Sequence, residues 1–506
     1  MQKKQTILVV ASLLVVVLSV TLAYFTAQII GKGKNVTINS ADLKIIFTDS
    51  DGSISGSNIE PGKWNVTKTF TIENKSNETY KYNIVIQDLI NTFVTKGYLQ
   101  YKITSTNGGY NMTEFKDVPK SDTAKDKILA YSVSISVGVI QSYTIEFKYA
   151  NDESVDQSDD MGKKLSGKLF ITEGTEGPTL LSQILKDNPT RSSRSNNNNG
   201  INDFATPLTT TTTGTLFTST ESISGITDSP KEVYYYAGNT TNNWVKFAGF
   251  YWRIIRTNHD GSIRLLYAGT SHNTTEGYIG TSAFNTKYDP MYVGYKYGTT
   301  GSLENNRLNT NDSTIKTYVD NWYKNNLTAY TKYLSNDAVY CNDRNLKSGQ
   351  SYSTTNDFDY APYERMENKQ PTYNCTNNKD AFSGSNSEAK LDYPVGLMTI
   401  DEIVYAGGKS YTSLPSPYAW YYLNSAGGSI TGGTGWWTLS PFFWFHTISD
   451  GWKVSGSDEP GYLSRSDLDY TYAVRPAISL KSCIKYSTGN GTSETPYEIV
   501  ETSSGC

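Results

Sequence analysis

Histidine is scarce in this sequence: the chain of 506 residues contains 3 histidines and 4 cysteines. Histidine is the commonest metal ligand and a frequent general acid or base, so this scarcity argues against a zinc enzyme, and so few cysteines exclude a disulfide-dense scaffold. Charged residues make up 19% of the chain, and the net charge is −4. Because there is no basic excess to neutralise phosphates, we expect no nucleic-acid partner.

Tyrosine, by contrast, is abundant, with 39 residues. Tyrosine favours β-strands and amphipathic recognition surfaces. The composition therefore indicates a β-rich protein with a binding or structural role. The length is enough for two to four domains of roughly 100–200 residues each.

A long apolar run lies at the N-terminus. Lys3 and Lys4 precede it, and it extends from about residue 6 to residue 25 without a charge. This pattern is typical of an export signal, and its length approaches the roughly 20 residues that span a bilayer. We expect residues 1–28 to be a cleaved signal peptide or a retained membrane anchor. The rest of the chain would then be secreted or displayed at the cell surface, with membrane contact only through this segment.

Residues 35–172 show apolar residues with a period of two. The segments 80–87 and 143–149 each place Tyr, Ile or Phe on alternate positions, and turn signals such as Pro61-Gly62 separate such runs. Alternation of this kind predicts half-buried antiparallel strands. We predict a mainly β fold that opens with an antiparallel, jelly-roll-like β-sandwich.

The alternation lapses between residues 173 and 231. Apart from a short amphipathic stretch at 179–186, this segment carries Ser, Asn and Thr tracts that are poor in apolar residues, which predicts a flexible linker. Residues 232–506 predict an α+β domain. It would contain a hairpin of 250–256 with 262–267 through Asp260-Gly261, a helix capped by Asp312 or Ser313, and a second helix near 399–406.

Four short motifs lie in the first domain: Ala23-Tyr-Phe-Thr26, Ile59-Glu-Pro-Gly62, and the segments 68–74 and 162–168. Over about residues 20–172 they resemble the TasA/camelysin family of exported Gram-positive proteins. The resemblance implies a jelly-roll sandwich and, for some members, fibres in which a subunit donates a strand to its neighbour. Some members have been labelled metalloproteases, but this chain has no HExxH motif and no histidine before His259, so we do not carry that label over.

The second domain carries further motifs: Tyr234-Tyr-Tyr, the segments 245–256 and 260–264, Cys341-Asn-Asp-Arg344, Trp436-Trp-Thr-Leu-Ser-Pro441 and Val474-Arg-Pro-Ala-Ile-Ser-Leu480. They resemble segments of uncharacterised Bacillota surface proteins. A late Trp-Trp followed by Val-Arg-Pro is similar to the C-type-lectin-like fold shared with relatives of the formylglycine-generating enzyme, over about residues 232–486. The resemblance implies a scaffold that displays loops, and a fold does not set a function.

The cysteines all lie in the second domain, at Cys341, Cys375, Cys483 and Cys506. Four cysteines allow three connectivities. For an exported chain we expect disulfides, and we favour the sequential pairs because each brackets a turn-rich excursion. Free thiols and a zinc site are the alternatives.

An aromatic cluster near the C-terminus is the sharpest candidate for a ligand site. Its members are Trp436, Trp437, Phe442, Phe443, Trp444, Phe445, His446 and Trp452. Flat rings stack on sugars or peptide side chains, but alternating aromatics are also typical of a core, so both interpretations stay open. If the cluster binds a ligand, we expect Phe443, Phe445 and Trp452 to be outside. His446 has Ser440 and Asp450 nearby in sequence, but without a GxSxG motif we predict no catalytic triad.

We expect no metal or organic cofactor. Calcium binding stays open at one acidic run, which is more typical of a solvated loop. Its residues are Asp152, Glu153, Asp156, Asp159 and Asp160. The sequence favours a non-enzymatic surface protein whose head binds an extracellular glycan or protein. One alternative is a fibre subunit that self-associates through the N-terminal arm at residues 28–38. Another is a glycan-active enzyme, since a glycosidase needs only two suitably spaced carboxylates.

Overall fold

The computed structural model describes strands at residues 26–27, 36–38, 43–47 and 53–55, and then residues 59–75, 79–173, 178–195, 203–414, 419–456, 459–500 and 505. The chain divides into two compact units, residues 1–176 with 501–503 and residues 177–500 with 504–506. The fold is mainly β, as the sequence predicts. Within the described ranges, no helix is long and apolar enough to cross a membrane; the apolar run at 6–25 lies outside them.

The first unit consists of antiparallel strands. They are β1 (Thr26–Ala27), β2 (Val36–Ile38), β3 (Leu43–Phe47), β4 (Ser53–Ser55), β5 (Asn65–Asn74), β6 (Tyr80–Asn91), β7 (Leu99–Ser105), β8 (Lys116–Asp117), β9 (Ser121–Ile135), β10 (Ile140–Tyr149) and β11 (Leu165–Glu173). One sheet has the order β1-β11-β6-β9, with β4 also beside β11, and the other has the order β2-β3-β5-β10-β7-β8. Residues of both sheets share one apolar core. In β10, Tyr143, Ile145, Phe147 and Tyr149 are all buried, so the predicted sandwich and its alternation are confirmed.

The second unit combines short helices with further strands. The helices are α1 (Leu180–Asp187), α2 (Leu303–Asn306), α3 (Thr314–Asn326), α4 (Ala361–Asn368) and α5 (Ile400–Tyr405). The strands are β12 (Thr190–Ser193), β13 (Thr215–Glu221), β14 (Lys231–Tyr235), β15 (Trp244–Phe247), β16 (Phe250–Thr257), β17 (Ile263–Tyr267), β18 (Thr281–Ala283), β19 (Lys296–Tyr297), β20 (Asn311–Asp312), β21 (Tyr340–Cys341), β22 (Phe358–Asp359), β23 (Ala381–Phe382), β24 (Val395–Leu397), β25 (Trp436–Phe445), β26 (Ile448–Val454), β27 (Leu463–Asp467), β28 (Thr471–Ala473), β29 (Pro476–Leu480), β30 (Tyr486–Thr488) and β31 (Tyr497–Ile499).

Two larger sheets organise this unit. In the first, the order is β12-β13-β14-β16-β15-β31-β30, and β17, β29 and β24 continue it from β16. In the second, the order is β18-β28-β25-β26-β27, with β22 also beside β25. Residues of both sheets belong to one large apolar core. The second sheet positions the candidate site, because its strand β25 carries most of the predicted aromatic cluster.

Local signals of the second unit act as predicted. The Ser313 side chain accepts a hydrogen bond from the Lys316 N–H and caps α3, whose apolar positions Ile315 and Val319 are buried. Helix α5 begins with a capping box of Thr399 and Glu402. The hairpin of β16 and β17 pairs as expected.

The linker prediction for residues 173–231 is wrong for the described residues 178–195 and 203–231. They include α1, and β12 pairs in parallel with β13 at the edge of the first large sheet. The buried Arg194 donates to the carbonyl oxygens of Val404, at 3.0 Å, and Tyr405, at 2.9 Å. The segment has few apolar residues, but its large apolar residues are buried in the domain core. The second domain therefore begins near residue 177 and not near 232.

The disulfide prediction is confirmed for Cys341 and Cys375, which are bonded with a sequence separation of 34. Cys483 is disulfide-bonded as well. Its predicted partner, Cys506, lies outside the described residues.

Candidate functional site

The structure divides the aromatic cluster into core and surface residues. Trp436, Trp437 and Trp452 are 0% exposed and Trp444 is 2% exposed. The ligand-contact prediction is therefore wrong for Trp436 and Trp437. Trp452, which we expected on the outside, is buried. The reason is that β25, which carries Trp436 and Trp437, and β26, which carries Trp452, are interior strands that are buried over most of their length, so alternation does not separate their inner from their outer residues.

The end of β25 is different, because Phe443 is half-buried and Phe445 is 48% exposed. They line an open cleft of about 360 Å³, here called the aromatic cleft. Its lining residues are Gln350, Asp357, Phe358, Asp359, Tyr363, Tyr411, Phe442, Phe443, Trp444, Phe445 and Arg465.

His446 forms the tip of the hairpin between β25 and β26, beside this cleft. Its ring stacks on Phe445, with centroids 4.3 Å apart, and its ring nitrogen contacts the carboxylate of Asp357. Ser440 instead accepts a hydrogen bond from the Ile400 N–H at 3.1 Å. Asp450 pairs with Arg465, so these groups do not form a triad with His446.

Polar side chains at the cleft are held by one another. The Arg465 guanidinium lies 4.6 Å from the Phe443 ring centre and donates to the Asp450 carboxylate at 2.6 Å. Asp450 is fully buried, and this burial, which Arg465 opposes, raises its pKa to about 6. Gln350 donates to Asp359 at 3.1 Å.

A smaller cavity of about 200 Å³, here called the side chamber, shares Tyr363 and Tyr411 with the aromatic cleft. Its other lining residues are Phe204, Arg365, Met366, Glu367, Lys369, Val404, Lys409, Ser410 and Trp452. The shared tyrosines place the two cavities side by side.

Tyr411 combines exposure with an unusual backbone. It is 48% exposed and has a φ of 52°. A bulky residue in this left-handed region is strained, and such strain clusters at ligand clamps and switch regions. Its ring lies 5.9 Å from that of Trp452 and 6.4 Å from that of Phe442, and it borders both cavities.

Three carboxylates of the acidic run considered for calcium hold local structure. Asp160 accepts hydrogen bonds from the Val94 N–H at 2.5 Å and the Tyr149 hydroxyl at 2.8 Å. Asp152 accepts from Ser154 and Asp156 from Ser158. These carboxylates therefore close turns or tie neighbouring segments together.

One carboxylate group elsewhere has metal-like spacing. The carboxylate oxygens of Asp312, Asp320 and Asp392 lie within 4.8 Å of one another. The fully buried Lys316 ammonium bonds all three, at 3.3 Å to Asp312 and 3.2 Å to Asp392 and by a short contact to Asp320. A lysine already supplies the positive charge, so the group does not fit a cation site.

The comparisons with known proteins add no family. No protein-family model matches the chain, and no curated protein matches it.

Of the predicted ligand-binding residues, Phe443, Trp444 and Phe445 line the cleft and His446 lies beside it; Tyr363, Tyr411, Arg465, Lys369 and Lys409, which line the two cavities, were not predicted. These come from separate loops and from β27 and α4. No periodicity or motif connects those segments. The glycines that precede Tyr411, Gly407 and Gly408, are the sole local sign of an irregular loop there.

Proposed function

We propose that this protein is an exported cell-surface protein whose second unit is a non-enzymatic binding head, and that the aromatic cleft holds an extracellular glycan. Export is inferred from the N-terminal sequence. The observation that carries the binding proposal is the set of accessible rings, Phe443, Phe445 and Tyr411, around an open cleft with amide, carboxylate and guanidinium groups. Aromatic faces stack on the C–H faces of sugars, while such polar groups orient hydroxyls.

A glycan fits this cleft better than an extended peptide does. Peptides that add to a sheet need an edge strand with free backbone groups. The outer part of β25 has none to offer, since Trp444 pairs with Phe358 of β22 on one side and with Ser449 of β26 on the other. The strand therefore presents its rings to a ligand.

Two carboxylates near the cavities, Glu367 and Asp450, are poorly suited to act as a glycosidase general acid. A glycosidase general acid needs a raised pKa and access to the substrate. Burial works to raise the pKa of Glu367, but its bonds to Lys347 and Tyr363 outweigh this and leave the pKa below its usual range. Asp450 has a raised pKa, but it is fully buried and bonded to Arg465.

The test is a glycan and matrix-protein array probed with the full chain in a mild detergent. We expect a glycan ligand whose affinity falls at least about tenfold in Phe443→Ala/Phe445→Ala, as for central aromatic contacts. Tyr288→Ala/Tyr470→Ala is the matched control, because these tyrosines are 69% and 56% exposed and lie outside the cleft lining. Unchanged binding by the cleft variant, or turnover of the bound glycan, would reject the proposal.

A fibre subunit is the second candidate. The short strand β1 pairs with β11, and β2 pairs with β3, at the edges of the two sandwich sheets. Terminal strands of this size can be exchanged between subunits at low cost. Deletion of residues 24–38 should abolish polymers seen by electron microscopy while leaving glycan binding intact; polymers that persist would exclude this route.

A further inference from the structure

We infer that the ligand of the aromatic cleft is an anionic glycan, and that the side chamber holds its acidic group, a carboxylate or sulfate, near Lys369 and Lys409. This inference rests on the proposed glycan-binding function and names the ligand class. The starting point is that most of the charged residues that line the side chamber are positive, whereas the net charge of the whole chain is negative.

The charges of the side chamber are unequal. Its lining includes Arg365, Lys369 and Lys409 but one carboxylate, Glu367, whereas the whole chain has a net charge of −4. Arg365 is more than neutralised by two carboxylates that do not line the chamber, Asp343 at 2.5 Å and Asp401 at 2.8 Å. Glu367 is neutralised by Lys347 at 2.7 Å.

The other two lining cations are Lys369 and Lys409. Neither forms an ion pair with any residue that the structure describes. Lys369 ends helix α4 with a φ of 56°, and a lysine charge is favourable at a helix C-terminus. The helix terminus therefore accounts for a positive charge at Lys369 but not for one at Lys409. Lys409 is half-buried in a loop, where an unpaired ammonium is less well solvated and gains more from an anionic partner.

The apolar lining of the chamber suits a sugar ring. Phe204, Met366 and Val404 line it together with the two shared tyrosines. A saccharide stacked on Tyr411 in the cleft would extend its next residue into the chamber. The C–H face of that residue would contact the apolar side chains, and its acidic group would meet the lysines.

The experiment measures binding of four probes to the full chain by calorimetry: oligogalacturonate, the same oligosaccharide after carboxyl reduction, dextran sulfate and a poly-glutamate peptide. We expect one or both anionic saccharides to bind, with the first two probes reporting a carboxylate and the third a sulfate. Binding should weaken as NaCl is added. It should also fall roughly tenfold in Lys369→Gln/Lys409→Gln, because two partly exposed charge pairs are lost.

Lys246→Gln/Lys324→Gln is the matched control, since it removes two positive charges from exposed positions of the same unit. It should leave the affinity unchanged. The inference would be overturned if the carboxyl-reduced saccharide binds as tightly as the native one, if both lysine variants lose affinity equally, or if the peptide is preferred. If a neutral glycan binds and Phe443→Ala/Phe445→Ala abolishes that binding, the proposed function stands while the charge inference fails. If no glycan of any charge binds, both fail.

Discussion

The guanidinium of Arg475 lies 4.9 Å from the ring centre of Trp436, and both side chains are fully buried. Arg475 donates to the carbonyl oxygens of Tyr267 and Gly277, each at 3.1 Å, and of Tyr421 at 2.6 Å. Its partners among the described residues are carbonyl groups and not carboxylates, and burial lowers its pKa to about 9. The Trp-Trp and Val-Arg-Pro motifs therefore meet in the core and serve structure.

Replacing Arg475 should destabilise the second unit. Arg475→Met leaves three buried carbonyls without their donor, and we expect a loss of about 3–5 kcal/mol in the free energy of unfolding. Arg475→Lys should also destabilise, because an ammonium cannot reproduce the planar fork. Urea unfolding followed by tryptophan fluorescence reports this unit, since Trp64 is the one tryptophan outside it. The exposed Arg191→Met is the control, and a loss no larger than in that control would contradict the prediction.

The disulfide of Cys341 and Cys375 should stabilise the second unit. A closed loop with a sequence separation of 34 corresponds to about 3–4 kcal/mol in the chain-entropy model. The double variant Cys341→Ser/Cys375→Ser should therefore unfold at a clearly lower temperature in scanning calorimetry. A change in Tm within experimental error would show that the unfolded chain does not gain the expected freedom.

Asp450 should make stability depend on pH. Its pKa is raised from 3.8 to about 6 by burial, so the folded state binds more protons than the unfolded state between about pH 4 and pH 6. The resulting contribution is fully present below about pH 4 and is lost as the pH rises through 6. We expect the difference in stability between wild type and Asp450→Asn to change by about 2–3 kcal/mol across this window. The pKa of Asp320 is also raised to about 6, but this residue is present in both proteins, so its contribution cancels in the difference. Parallel curves of stability against pH would show that Asp450 does not have the raised pKa.

Lys316 should be essential to the stability of its carboxylate group. Lys316→Met leaves the partly buried Asp320 without its partner, and we expect a loss of about 3–5 kcal/mol at pH 7. The double variant Lys316→Met/Asp320→Asn should recover part of this loss, because the unpaired carboxylate is gone. Urea unfolding of the single and double variants measures the coupling; additive losses would show that the two side chains act independently.

The parts of the fold that sequence reasoning predicted are those set by local pattern. The alternation of β10, the cap at Ser313 and the hairpin after Asp260-Gly261 each depend on neighbouring residues. The supposed linker failed because its order depends on distant partners: Arg194 bonds to carbonyls about 210 residues away. Tract composition contains no information about such contacts.

The candidate site was predicted only in part for the same reason. Phe443 and Phe445 were expected outside and are accessible, but Trp452, expected with them, is buried by packing from other elements. Tyr411 comes from a loop distant in sequence. A cleft of this kind is formed by tertiary packing, so its position follows from the fold and not from a motif.

Tyr411 provides a test that separates backbone strain from ligand contact. At a φ of 52°, glycine is unstrained while alanine retains the steric cost of a Cβ. Tyr411→Gly should therefore be about 1 kcal/mol more stable than Tyr411→Ala in urea unfolding, although both lose the same ring and should show the same drop in glycan affinity. Tyr363, which also borders both cavities but lies in helix α4, is the control. There Tyr363→Ala should be more stable than Tyr363→Gly by about 1 kcal/mol. If Tyr411→Ala is as stable as Tyr411→Gly or more stable, the fold does not impose the left-handed backbone at position 411, and Tyr411 is not a strained residue.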